Sequence, residues 1–290
     1  MREIKYETAY ATLIGNRSKN QDRCAIIESI NSMLICLADG MGGHPKGEVA
    51  AQILVDVCTE MFTEARKPIA NPTAFLASTM NKAHERIITY GNAQKPAIKP
   101  RTTAVIALIQ ENIVYWAHAG DSRLYLLRDK KILTRTTDHS YVEILRKQGA
   151  ITPSECLSHP QRNYVTRCLG GNILSIDFAR SEPTPLLPGD ILLLCSDGLW
   201  GVLDNSSLVQ GIYTDEPLTE RIEHLAKRAA TTAAPESDNV TAIALHWIEG
   251  VPTIPLHKPS KNPVEKTNDP QSTLTQAVDD LKNTIKSFKP

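Results

Sequence analysis

Between residues 103 and 135 the chain carries two pairs of apolar, strand-prone runs whose connectors are too short for a crossover. TAVIALI and NIVYWAHA are separated by Gln110 and Glu111, and SRLYLL and KILTR flank Arg128, Asp129 and Lys130. Parallel neighbours need a dozen or more linking residues, so each pair must be an antiparallel hairpin. Further β-rich runs lie at 24–28, 33–38, 190–195 and 240–247.

Helical periodicity interrupts the strands in groups. Ala50, Ile53, Leu54, Val57, Cys58, Met61 and Phe62 share one face of a 3.6-residue repeat. After Pro72, so do Leu76, Met80, Ala83, Ile87 and Ile88, and a third helix over about 217–232 carries Leu218, Ile222, Leu225 and Ala229. Antiparallel strands with helices in pairs predict an α+β fold. Its centre is an antiparallel β-sandwich flanked by helix pairs, giving an α-β-β-α order of four layers. One domain over 1–248 is expected. Residues 138–172, one short helical stretch followed by turn-rich polar sequence, form a long excursion from it.

Residues 249–271 are proline-rich and read as a linker. The final segment, 272–290, spaces Leu274, Val278, Leu281, Ile285 and Phe288 as a two-heptad stripe. Two readings of that amphipathic tail helix stand: a docking element for a partner or the domain, and a weakly ordered tail.

Charge and cysteine usage exclude several classes. Lys plus Arg equals Asp plus Glu at 32 each, so no global field recruits nucleic acid or an anionic membrane. No apolar run is long enough for a membrane span, and MREIKYETAY does not resemble a signal peptide. The six cysteines are scattered with no C-x-x-C pair, which predicts reduced thiols in a cytoplasmic protein.

Five aspartates stand at strand edges. Asp39 follows LICLA and precedes Gly40, Asp197 follows ILLLCS, Asp121 lies in HAGDSRLY, and Asp22 and Asp238 each precede an apolar run. Aspartate is a common turn residue, so one such position says little. Five on one rim would gather carboxylates that repel unless a cation sits among them. An all-oxygen set points to Mg²⁺ or Mn²⁺ rather than zinc. Gly40 would let its own carbonyl turn toward a metal and let phosphate approach the backbone. Arg17, five residues before Asp22, has the planar fork that matches phosphate.

Seven motifs in order, GNRSKNQD, LADGMGGHPKGEVA, RTTAVIAL, HAGDSRLY, HPQRNYVTRCLGG, LLCSDGLWGVL and SDNVTAIAL, span about residues 8–248. In this the chain resembles the type-2C, metal-dependent serine/threonine protein phosphatases, especially their compact bacterial branch. The resemblance implies hydrolysis of phosphoserine and phosphothreonine in proteins by a metal-activated hydroxide, with two or three Mn²⁺ or Mg²⁺ ions. It implies that Asp39 bridges two metals, that Asp197 and Asp238 complete one, and that the Gly40 carbonyl binds the other with Asp22 holding its water shell. Asp121 with Asp197 would form a third site, Arg17 would hold the substrate phosphate, and Asn239 would support Asp238. Residues 138–167 would be the family's flap. The implied partners are phosphorylated proteins, substrates of a Ser/Thr kinase or that kinase itself.

Two departures from the pattern matter. Arg101 stands where the family has glycine before the Thr-Thr pair, placing a cation near the site. Met41 stands where animal members carry a histidine, which leaves His44 as the nearest candidate acid. For His44 a leaving-group acid and a hydrogen-bonding loop histidine both stand. His139 and His159 are expected to be structural. The rival to an enzyme is a phosphatase-fold binding or recruitment module that has lost turnover. Retention of all five acids favours the enzyme.

Overall fold

The computed structural model describes residues 5–41, 45–171 and 176–249. The proline-rich linker beyond 249, the tail stripe and His44 therefore lie outside the described residues. In chain order the elements are β1 (Lys5–Leu13), β2 (Asp22–Ser29), β3 (Ser32–Asp39), α1 (Gly47–Glu64), α2 (Pro72–Ala93), β4 (Arg101–Thr102), β5 (Ala104–Gln110), β6 (Ile113–Ala119), β7 (Arg123–Arg128), β8 (Lys131–Arg135), α3 (Tyr141–Lys147), α4 (Pro153–Ser158), β9 (Leu169–Gly170), β10 (Ala179–Arg180), β11 (Thr184–Pro185), β12 (Ile191–Cys195), α5 (Asp197–Trp200), α6 (Asn205–Ile212), α7 (Leu218–Thr232) and β13 (Val240–Glu249).

Two antiparallel sheets carry the fold. One runs β1-β13-β12-β7-β8. The other runs β10-β6-β5-β3-β2, with β11 also pairing with β6. The strand period of two explains the layers. Leu34, Cys36 and Ala38 of β3 join Ala50, Leu54 and Phe62 of α1 in one core, while Met33, Ile35 and Leu37 turn the other way. There they meet Leu192 and Leu194 of β12 and Ile243 and Leu245 of β13, filling the space between the sheets. Ile191, Leu193 and Cys195 face outward onto Leu218, Ile222 and Leu225 of α7. The order is thus helices, sheet, sheet, helices, and both faces of the central strands are apolar because both are covered.

The hairpins close as their connectors require. Gln110 pairs with Ile113, and Arg128 with Lys131. The turn residues Glu111, Asn112, Asp129 and Lys130 all have positive φ, the signature of tight two-residue turns. Gln110 and Arg128 are therefore the last strand residues rather than connector residues.

Some elements differ from expectation. β1 and the short helices α5 and α6 are additional. The excursion after β8 holds two helices, α3 and α4, where one was expected. Capping explains both: Ser140 accepts from the Glu143 N–H, and Thr152 forms a reciprocal capping box with Glu155 behind Pro153. The root of the excursion is closed by the Thr166 N–H on the His139 carbonyl at 2.8 Å and the Tyr141 N–H on the Tyr164 carbonyl at 2.9 Å. All six cysteines are free. Among the described residues no helix is long and apolar enough to cross a membrane.

Candidate active site

The strand ends bring the five aspartates together. Asp22 opens β2 and Asp39 ends β3, and the two stand opposite each other in the antiparallel register. Asp121 lies in the β6–β7 turn, Asp197 begins α5 directly after β12, and Asp238 precedes β13. Asp22 and Asp121 are buried. Asp39 and Asp197 are packed around by protein but keep part of their surface open. Burial pushes the carboxyls of Asp22 and Asp121 up to about 6. Burial, then the charges of Asp22, Asp197, Asp121 and Asp238, lifts Asp39 well above the carboxylate range. Asp197 is raised the same way, with Asp121 its strongest repelling neighbour. The five therefore form one mutually repelling group, which needs protons or cations to persist.

Oriented groups hold the individual acids. Ser196 donates its hydroxyl to Asp22 Oδ2 at 2.7 Å, and its Oγ accepts from the Thr241 N–H at 3.0 Å. Asp22 Oδ1 is buried with no hydrogen-bond partner. The Asp39 N–H donates to Thr103 Oγ1 at 2.9 Å, and the Thr102 hydroxyl donates to the Asp39 carbonyl at 2.9 Å. Sequence reasoning did not single out Ser196, Thr102 or Thr103; their signal is only that each adjoins a motif acid or the next strand.

Gly40 serves a close approach rather than an unusual φ. A Cβ there would sit 2.4 Å from the Gly47 carbonyl, so the start of α1 packs directly on the strand end. Arg101 is tolerated where glycine was expected because its backbone is extended in β4, paired with Gly170. Its guanidinium lies against Gly171, and its Nε is buried without a partner.

The segment carrying Arg17 is stitched to the one carrying Asp238. Gly15 has φ +60°, and a Cβ on it would meet the Asp238 carbonyl at 2.1 Å. The Asn16 N–H donates to the Ser237 carbonyl at 2.9 Å. The Asn239 side chain does most of the fastening: its Oδ1 accepts from the Gln21 N–H at 2.8 Å, and its Nδ2 donates to the carbonyls of Ile14 and Lys19 at 2.8 and 3.0 Å. Only its backbone N–H reaches Asp238, at 2.8 Å from Oδ1. Asn239 thus orients the Arg17 loop more than it supports Asp238. Arg17 Nη2 donates to Asp238 Oδ2 at 2.8 Å, and both side chains are partly exposed.

Arg17, Asp121, Asp197 and Asp238 line a cleft of about 890 Å³ that continues along α3, α4 and the start of α6. The donor set suits a hard divalent cation: oxygen atoms throughout, an orphaned Asp22 Oδ1 and carboxylates crowded against their own repulsion. Among the described residues no group of three or more His, Cys, Asp or Glu side chains is disposed to hold an ion by itself. Backbone carbonyls and waters would complete the coordination, as Mg²⁺ commonly requires. His139 and His159 take structural places: His139 stacks on His118 with centroids 4.6 Å apart, and His159 packs by Tyr141.

Residues 11–243 match the family model described as Protein phosphatase 2C. A putative protein phosphatase 2C-type protein of Streptococcus pyogenes is 32% identical over 236 residues, covering 79% of this chain and 92% of that one. The crystal structure of the serine/threonine phosphatase Stp1 from Staphylococcus aureus is similar with a TM-score of 0.78 and 31% identity, over 85% of this chain and 96% of its own. The catalytic domain of the serine/threonine protein phosphatase PstP in complex with two manganese ions is similar at a TM-score of 0.71 and 28% identity, over 84% and 99% of the two chains.

Proposed function

The chain belongs to the protein phosphatase 2C family, and on that premise we propose that it hydrolyses phosphoserine and phosphothreonine in proteins at the rim of five aspartates. The single observation that carries the assignment to this rim is the facing pair Asp22 and Asp39 with the orphaned Asp22 Oδ1, inside a group of acids that opens onto a cleft beside Arg17.

The family is metal-dependent. In our reading Asp39, Asp197 and Asp238 would hold one ion, and Asp39 with the Gly40 carbonyl a second, with Asp22 on its water shell. Asp121 with Asp197 would take a third. Bound Mn²⁺ or Mg²⁺ would supply Lewis-acid polarisation of a phosphoryl oxygen and a water acidic enough to react at neutral pH.

The chain's own residues do the rest. Arg17 releases Asp238 and pairs with the non-bridging phosphoryl oxygens, its fork matching two of them. Asn239 keeps the Arg17 loop in register. Ser196 and Thr241 hold Asp22 through one oxygen and leave the other free. The cleft receives the polypeptide on either side of the phosphorylated residue. Water adds to phosphorus, the bond to the seryl or threonyl oxygen breaks, and that oxygen takes a proton as inorganic phosphate leaves. His44 as the donor of that proton belongs to the same proposal and rests on its sequence position.

A cytoplasmic location, an opposing Ser/Thr kinase and docking of the 272–290 segment on a partner complete the reading. Support comes from the scattered free cysteines, the substrate chemistry and the apolar stripe, respectively. The test is release of phosphate from a phosphothreonine peptide with Mn²⁺, with EDTA and with Asp39→Asn. Metal-dependent release that the variant loses is expected. A folded, metal-loaded wild type inert on a panel of phosphopeptides would leave a binding module instead.

A further inference from the structure

We propose that Arg123 is a positioning residue that ties the 138–167 excursion to the two strand ends bearing Asp121 and Asp197. The proposal deepens the phosphatase reading and rests on it for its kinetic arm.

Arg123 opens β7, two residues after Asp121. Its guanidinium meets groups from the excursion, from β7 itself and from α5. Nε and Nη2 fork onto the two oxygens of Asp138 at 2.8 and 2.6 Å, Nη1 donates to the Tyr125 hydroxyl at 2.9 Å, and Cζ lies 3.5 Å from the centroid of the Trp200 ring. Asp138 is the first residue of the excursion. Trp200 ends α5, the single turn that Asp197 begins. The side chains of Arg123 and Asp138 are only 12% and 9% exposed. Arg123, Asp138, Trp200, Asp121 and Asp197 all lie along the one cleft.

A buried ion pair is weak evidence of stabilisation, because desolvation offsets most of its attraction. Its geometry, however, can fix the relative placement of what it joins. A planar fork stacked on a ring is a demand that lysine cannot meet, since its ammonium neither forks nor stacks as a plane. The opposite end of β7 supplies an internal comparison. Arg128 forks onto Asp190 at 2.7 Å through both Nε and Nη2, with Asp190 the more buried of the two aspartates and Arg128 the more open of the two arginines, but this pair does not line the cleft. If Arg123 served only to hold the sheet, the two arginines would be equivalent.

The experiment compares Arg123→Lys, Asp138→Asn and Arg128→Lys in the full chain. Kinetics on a phosphothreonine peptide are read beside hydrogen exchange of the peptides covering 138–167 and 197–203. We expect Arg123→Lys to lower kcat/KM for the peptide at least about tenfold and to raise the Mn²⁺ concentration needed for half-activity, because misplacement of about 1 Å is costly in rate. Exchange should rise in both segments together. Asp138→Asn, which keeps the side-chain shape, should reproduce the pattern, and the double variant should be little worse than either single. Arg128→Lys should leave kcat and KM within about twofold even where it lowers Tm. Equal Tm losses for both lysine variants with wild-type kinetics and unchanged exchange would overturn the proposal. If Arg123→Lys does not fold, Asp138→Asn decides by the same readouts. If the wild type is inert on phosphopeptides the phosphatase reading falls, and the exchange arm alone decides whether Arg123 couples the two segments.

Discussion

Asp22 and Asp39 face one another across the β2–β3 ladder, one held by Ser196 through Oδ2 and the other fixed at its backbone by Thr102 and Thr103. The charge of Asp22 raises the proton affinity of Asp39, that of Asp238 raises the proton affinity of Asp22, and a divalent cation relieves both at once. Asp39→Asn should cut metal-dependent kcat/KM at least about a thousandfold, since Asp39 is the ligand we propose to be shared between ions. Asp22→Asn should act through the proposed water shell, raising the Mn²⁺ needed for half-activity by about 10- to 100-fold. Metal-free Asp39→Asn should melt higher than metal-free wild type, and the wild-type Tm should keep rising with the logarithm of Mn²⁺ concentration above its Kd. Equal Tm values with and without Mn²⁺ in the wild type would remove the metal from this rim.

Arg17 separates binding from stability. Its pair with Asp238 is partly exposed, so deleting it should change the unfolding free energy by no more than about 0.5 kcal/mol. Arg17→Ala should nonetheless raise KM for a phosphopeptide about tenfold or more, because the same guanidinium is the proposed phosphate contact. Arg17→Lys should recover only part of that loss. Unchanged KM in Arg17→Ala would place the phosphate elsewhere.

The architecture was largely legible, and the reason is burial on both faces. The continuous runs of β3, β5 and β12 are what four layers demand, and the two-residue connectors left no alternative to hairpins. β1 stayed hidden because its core-facing residues Ala9 and Ala11 are small, while Tyr10 between them is exposed. α5 and α6, of 4 and 8 residues, are too short to display a helical period. The acids could be found because each breaks an apolar run. Their supporting groups could not: Asn239 fastens a loop 218 residues away, and Asp138 meets Arg123 only through the fold. The Asp-Ser-Arg triplet that opens β7 reads on its own as ordinary turn chemistry.

Asn239 offers a different kind of test, because its side chain makes three hydrogen bonds to the 14–21 loop and none to an acid. Asn239→Ala removes the partner of three part-buried backbone groups at Ile14, Lys19 and Gln21 and should cost about 1–2 kcal/mol in urea denaturation. Arg17 rides on that loop, so the variant should also show the raised KM of Arg17→Ala, with metal half-activation changed less. Loss of metal affinity with KM intact would return Asn239 to a support for Asp238 alone.

His139 sets a pH dependence that can be isolated. It stacks on His118, accepts from the Gly120 N–H at Nδ1 (3.3 Å), and has Arg167 Nη1 at 3.3 Å from Nε2, so an added proton meets donors on both sides. Burial first, then the charges of His118, Arg167 and Lys147, pushes its imidazole down to about 3. Burial lowers His118 as well. A folded-state value below the ordinary 6.5 means that the unfolded chain takes up the proton first. The neutral ring's contribution is therefore complete above about pH 6.5 and is lost as pH falls through 6.5 toward 3. Allowing for the ring's partial exposure, wild type should lose about 1 kcal/mol more than His139→Gln between pH 7.5 and pH 5, measured by urea denaturation with Mn²⁺ present. The opposite trend from Asp22 and Asp121 is common to both proteins and cancels in the difference. Parallel stability curves across that range would mean that His139 is protonated in the fold, and the stack on His118 would need a different account.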